Sequence, residues 1–126
     1  RLYESAAGFR MANGDLFSPD VSFVSAARLK GRQATYKNFF QGAPELAVEV
    51  LSPGDRGADL VKKMSAYFAN GCLRVWVIDP KTKSIAIHAE PLQPERVLHL
   101  GETLTGDLVV PGFSLTLDAL FEPPEF

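Results

Sequence analysis

Apolar positions along the chain change period near its middle. Leu46, Ala47, Val48, Val50 and Leu51 form an almost unbroken run, which predicts a strand. From Ala58 to Ala69 the spacing lengthens: Leu60, Val61, Met64, Tyr67 and Phe68 fall on one arc at about 100° per residue, so an amphipathic helix is predicted there. Ser52-Pro53-Gly54-Asp55-Arg56-Gly57 separates the two, because Pro53 has no ladder donor and the glycines admit unusual dihedrals. Asn70-Gly71 stops the helix, and Leu73 to Ile78 predicts a second strand rich in β-formers. A strand, one helix and a strand of these lengths make a crossover unit with adjacent parallel strands.

The flanks add strands to this unit. Arg1 to Met11 reads as a short strand or hairpin arm, and Asn13-Gly14-Asp15 is a turn. Ser18-Pro19-Asp20 leads into a strand over Val21 to Val24, with Val21 and Phe23 on one face. Ser25 to Ala43 has no regular period. Asp79-Pro80 ends the second strand of the unit, Lys81 to Lys83 turns, and Ser84 to Ala89 returns as a hairpin partner. Glu90-Pro91 and Gln93-Pro94 interrupt the sheet before a strand over Arg96 to Leu100. Gly101 to Gly106 and Leu108 to Val110 read as edge structure and turns, and Leu115, Leu117, Leu120 and Phe121 as a terminal apolar clasp after Pro111-Gly112-Phe113.

At 126 residues and 46% hydrophobic composition the chain has material for one core, so residues 1–126 are expected to form one domain. Its first residue is Arg, and an N-terminal segment is expected upstream. A net charge of -2 gives no long-range attraction to nucleic acid or acidic membrane, so contact with DNA needs a local patch. Arg28, Lys30, Arg32 and Lys37 are the densest basic cluster, and Tyr36, Phe39 and Phe40 lie beside them, a combination suited to nucleic acid and equally to a loop pinned on a core. One cysteine excludes an intrachain disulfide and a thiolate metal cluster; Cys72 reads as a packing residue. With no long apolar segment and no secretory leader, a cytoplasmic protein with no membrane span is expected.

Candidate chemistry starts with Glu49, an acid inside the apolar run from Leu46 to Leu51, where an ionised carboxylate must be paired, hydrogen-bonded or metal-bound. Lys62 falls opposite the helix's apolar arc and reads as solvated, whereas Lys63 lies at the margin beside Tyr67, where its stem can carry the ammonium to the end of the sheet. Asp20 stands at the mouth of the preceding strand, either as a turn cap or as a second acid. Asp20 and Glu49 with the backbone carbonyl of Val50 and water suit a hard cation, Mg2+ or Mn2+. Such a cation with Lys63 suits phosphodiester hydrolysis. A structural alternative has Glu49 simply paired with Lys63 at a packed sheet–helix junction. Asp79 reads as a turn residue.

The series Gly8-Phe9, Ser18-Pro19-Asp20-Val21, Pro44-Glu45-Leu46, Val48-Glu49-Val50-Leu51-Ser52-Pro53, Asp59, Lys63, Tyr67, Gly71, Val75-Trp76-Val77-Ile78-Asp79-Pro80 and Pro111-Gly112-Phe113 resembles the Uma2 family, also called DUF820 or restriction endonuclease-like. The resemblance implies a PD-(D/E)XK nuclease fold, α/β in class (α+β mixed), with a central mixed β-sheet flanked by helices. It also implies metal-dependent DNA endonuclease activity with Mg2+ or Mn2+, the catalytic residues being Asp20, Glu49 and Lys63. Leu51 stands where a compact acidic-x-basic strand motif has lysine, and the helix-borne Lys63 compensates. Glu4 does not match the additional N-terminal acid usual in the superfamily. The alternative on the same scaffold is an inactive nucleic-acid-binding or protein-interaction module. Exposed edge strands and the aromatic connection suggest a homodimer.

Overall fold

The computed structural model describes residues 2–4, 7–25, 40–106 and 109–123. Its strands are β1 (Leu2–Glu4), β2 (Phe9–Arg10), β3 (Leu16–Phe17), β4 (Val21–Phe23), β5 (Phe40–Gln41), β6 (Leu46–Val50), β7 (Arg74–Asp79), β8 (Ser84–His88), β9 (Pro94–Leu98), β10 (Thr103–Thr105) and β11 (Ser114–Thr116). The described helices are α1 (Gly57–Ala69) and α2 (Leu117–Leu120). Six strands form a mixed sheet in the order β1-β4-β6-β7-β8-β9. Only β6 and β7 run parallel in it, joined through α1, and the other neighbours are antiparallel. The chain therefore has the central mixed sheet and flanking helices of a restriction-endonuclease-like core.

Alternation along β6 and β7 explains why both strands read as apolar runs. Ala47, Val75 and Val77 face a core completed by Met64 and Tyr67 of α1, with Phe9 and Met11 from the β2 region. Leu46, Val48 and Trp76 face the opposite core with Ile85, Ile87, Leu98, Leu104 and Leu117. Each face of the sheet is thus covered, and a strand covered on both faces shows little polar alternation. On the first face a small sheet, β3-β2-β5, stacks Phe9 on Phe40 with ring centroids 5.0 Å apart. On the second, the β10–β11 pair and α2 lie over the sheet, and Phe113 meets Trp76 at 5.7 Å.

Helix α1 starts after an extended Arg56 whose side chain makes no cap, and carries Asp59 in its first turn, the favourable sign for the helix dipole. It ends where Asn70 and Cys72 N–H groups both return to the Tyr67 carbonyl, and Gly71 takes φ +100°, a conformation open to glycine. Asn70 Oδ1 also accepts the Ala12 N–H at 2.8 Å, tying the β2–β3 turn to the helix end.

The predicted elements from β6 to β8 are present within a residue of their expected bounds. The next strand differs: β9 begins at Pro94 rather than Arg96. A proline at the first position of an edge strand forgoes no ladder bond, and a register irregularity at Ile87/His88 absorbs the mismatch. Lys30, Arg32, Tyr36, Lys37 and Phe39, with Arg28, lie outside the described residues. Among the described residues no helix is long and apolar enough to cross a membrane.

Candidate active site

Two strand ends and one helix face converge at the site. The β4–β6 register sets Val21 against Val48, so Asp20, one residue before β4, comes level with Glu49. Among the described residues the Asp20 side chain accepts from the neighbouring strand and not from its own turn. Its Oδ2 accepts the Val50 N–H at 2.7 Å, closing the gap beyond the last β4–β6 pair. Glu49 projects on the Ala47 side of the sheet towards α1, where Lys63 and Tyr67 are neighbours four residues apart on one face.

Glu49 is 6% exposed, and each of its oxygens has a protein donor. Lys63 Nζ donates to Oε1 at 2.9 Å and the Tyr67 hydroxyl donates to Oε2 at 3.2 Å. Burial is the largest influence on Glu49 and pushes its carboxyl above the usual range. The Lys63 ammonium pulls it down, Asp20 raises it by like charge, and the Tyr67 bond lowers it again. Burial and then the charge of Glu49 push the Tyr67 phenol far up, so this side chain stays a donor throughout the physiological range. The Lys63 side chain is 37% exposed and reaches Glu49 along the margin of the apolar arc, as its position in the sequence predicts.

Space surrounds the group on its open side. A cavity of about 80 Å3 is lined by Glu49, Val50, Asp55, Asp59, Arg56 and Lys63, together with Leu51 and Leu60. A second of about 390 Å3 is lined by Asp15, Leu16, Phe17, Asp59, Lys62 and Lys63. Beyond them, a cleft of about 800 Å3 runs over the ends of β6 and β7, with Arg56 and Lys81 on its walls. The acids of that cleft are occupied as turn residues: Asp55 Oδ2 accepts the Ser52 N–H, and Asp79 Oδ1 accepts the Lys81 N–H. Asp79 is thus the turn residue that its sequence position predicts. Cys72 is buried at the helix-to-strand junction, where burial pushes its thiol up to about 12.

Asp20, Glu49 and Lys63 are therefore brought to one end of the sheet. In the sequence Tyr67 shows only as part of the apolar arc, and its phenol, the second donor to Glu49, is marked solely by its position four residues after Lys63. Asp59, four residues before Lys63, is a cavity wall that the sequence pattern does not mark. Among the described residues no group of three or more His, Cys, Asp or Glu side chains is arranged to hold a metal ion. The candidate ligands, the Asp20 and Glu49 carboxylates and the Val50 carbonyl, are of the donor type that a hard divalent cation takes. The positive charge beside the buried Glu49 carboxylate is supplied in the free protein by Lys63.

A family model described as "Uma2: Putative restriction endonuclease" matches residues 1–118. The chain belongs to the Uma2 family. Uma2 proteins are part of the PD-(D/E)XK-like nuclease superfamily, consistent with the mixed sheet described above. Among solved structures, this Uma2 chain is similar to "a putative nuclease belonging to DUF820" from Anabaena variabilis ATCC 29413. The two are 21% identical with a TM-score of 0.80, over 96% of this chain and 67% of the other. At that identity the likeness shows the fold. No curated protein matches.

Proposed function

We propose that this Uma2 chain is a metal-dependent endonuclease that hydrolyses DNA phosphodiester bonds at Asp20, Glu49 and Lys63. The observation that carries the reading is a buried carboxylate, Glu49, level with a second acid and in direct contact with a lysine delivered from the crossover helix. Family membership supports the reaction class. Asp20, Glu49 and the Val50 carbonyl would hold Mg2+ or Mn2+. When bound, the cation lowers the pKa of a water molecule and offsets charge developing on the phosphate.

The chain's own residues supply the rest. The Val50 N–H fixes Asp20, and the Tyr67 hydroxyl fixes Glu49, so both acids keep their orientation without substrate. Lys63 orients the water or meets a phosphate oxygen. In the reaction the water oxygen bonds to phosphorus, the bond from phosphorus to one ester oxygen breaks, and the proton lost by water is balanced on the departing alcohol. The wide cleft with Arg56 and Lys81 offers a track for the nucleic acid backbone, since neither cation has an ion pair among the described residues. A homodimer would place two such sites on one duplex.

One observation favours a second reading, an inactive scaffold that binds nucleic acid or protein. Both Glu49 oxygens already have protein donors, as in a purely structural buried pair. Cleavage separates the two. Purified protein with Mg2+ or Mn2+ is expected to nick or cut DNA, and Asp20→Asn, Glu49→Gln and Lys63→Met are each expected to lower the rate by about a hundredfold or more while remaining folded. Unchanged cleavage in all three variants rejects the site. No cleavage over a broad DNA panel, with metal-independent binding retained, supports the scaffold.

A further inference from the structure

We infer that Lys63 is a placeholder cation, whose ammonium competes with the divalent cation for one oxygen, Oε1 of Glu49, and moves outward when metal binds. This rests on the reading of Asp20 and Glu49 as the metal-holding pair. The two Glu49 oxygens are not equivalent. Oε2 is turned to the hydroxyl of Tyr67, a fully buried side chain with no room to withdraw. Oε1 is turned to Lys63, which is partly exposed and lines two cavities. Glu49 and Lys63 both line the smaller cavity, and the ammonium holds Oε1 at 2.9 Å. Two cations cannot share that oxygen closely without strong repulsion, so loading the metal requires Lys63 to give way.

The helix provides a destination. Asp59 lies one turn before Lys63, is exposed, and lines both cavities; among the described residues its carboxylate has no ion pair. An acid four residues ahead of a lysine is the favourable spacing and polarity for a helix ion pair. Moved there, the ammonium stands at the mouth of the site, where a phosphate must enter. The residue that resists metal in the free protein then meets substrate in the loaded one.

The test is calorimetric titration of the whole chain with Mn2+ alone, without nucleic acid. Lys63→Met is expected to bind Mn2+ about fivefold more tightly than wild type, the size of a partly exposed ion pair released from competition, although its cleavage falls. Lys63→Arg, which keeps the charge, gains nothing. Asp59→Asn weakens binding in the wild-type background and leaves the Lys63→Met background unchanged. If Lys63→Met binds no more tightly, or Lys63→Arg gains as much, while Glu49→Gln abolishes binding, the placeholder role is overturned and the metal site stands. Equal losses from Asp59→Asn in both backgrounds make Asp59 a ligand and overturn the outward path. If Asp20→Asn and Glu49→Gln bind Mn2+ as wild type does, the metal-site reading itself fails, and this inference with it.

Discussion

Replacing Tyr67 with phenylalanine removes a single oxygen from the core and isolates one of the two bonds that hold Glu49. The ring would keep its edge-on contact with Phe17, at 5.6 Å between centroids and 79° between planes, so the packing loss is small. Oε2 of Glu49 would be left buried without its donor. A hydrogen bond to a charged group contributes about 1.5–3 kcal/mol. At 3.2 Å this one is longer than strong charge-assisted bonds, which places the cost near the lower end, about 1.5 kcal/mol. In a chain of this size that lowers the melting temperature by about 5 °C. The cost also depends on pH. The phenol lowers the Glu49 pKa, so its removal raises that value further and the native state holds the proton to higher pH. Relative to wild type, stability is then lost as pH rises from the ordinary carboxylate range through the raised native value. Urea unfolding should give a deficit of about 1.5 kcal/mol above the raised native value that shrinks to about 0.5–1 kcal/mol below the ordinary carboxylate range, with unchanged m-values. A variant as stable as wild type at the higher pH, or a deficit independent of pH, refutes the bond's role.

Glu49→Gln probes the acid itself. Because burial raises the native pKa, the stability associated with this group is fullest below the ordinary carboxylate range and declines as pH rises through the raised value. Removing the charge should therefore shift the stability difference in the variant's favour between about pH 4 and about pH 8; a constant difference contradicts the shift. For the cleft, Arg56→Ala combined with Lys81→Ala should weaken DNA binding and reduce the slope of log affinity against log salt by about 2, one for each lost phosphate contact. An unchanged slope in filter binding or fluorescence anisotropy removes the cleft from the DNA track.

The crossover unit was legible because its signals are local and agree. The apolar run of β6, the helical arc of α1 and the Asn70-Gly71 stop each predict one element, and chain length leaves a parallel return as the economical connection. Glu49 was legible for the opposite reason, as the one position in that run where local apolar preference is broken. Asp20 was harder, since a carboxylate after proline at a strand mouth suits a turn equally well; only the β4–β6 register makes it level with Glu49. Tyr67 is hidden by its own ring, which satisfies the apolar arc; only its place four residues after Lys63 points to the carboxylate that both side chains meet. Pro94 reads as a break in the sequence because its edge position, where a missing donor costs nothing, depends on the pairing of β8 and β9. Arg56 and Lys81 lie in turns far apart in sequence and share a cleft only because β6 and β7 end side by side.

Diffraction from crystals soaked in Mn2+, collected for the metal's anomalous signal, decides whether Asp20 and Glu49 hold a cation together. One peak is expected about 2.1 Å from carboxylate oxygens of both Asp20 and Glu49, with the Lys63 ammonium withdrawn from Oε1. An empty map at that position with Lys63 still bonded to Glu49, or a peak that neither carboxylate touches, contradicts that expectation.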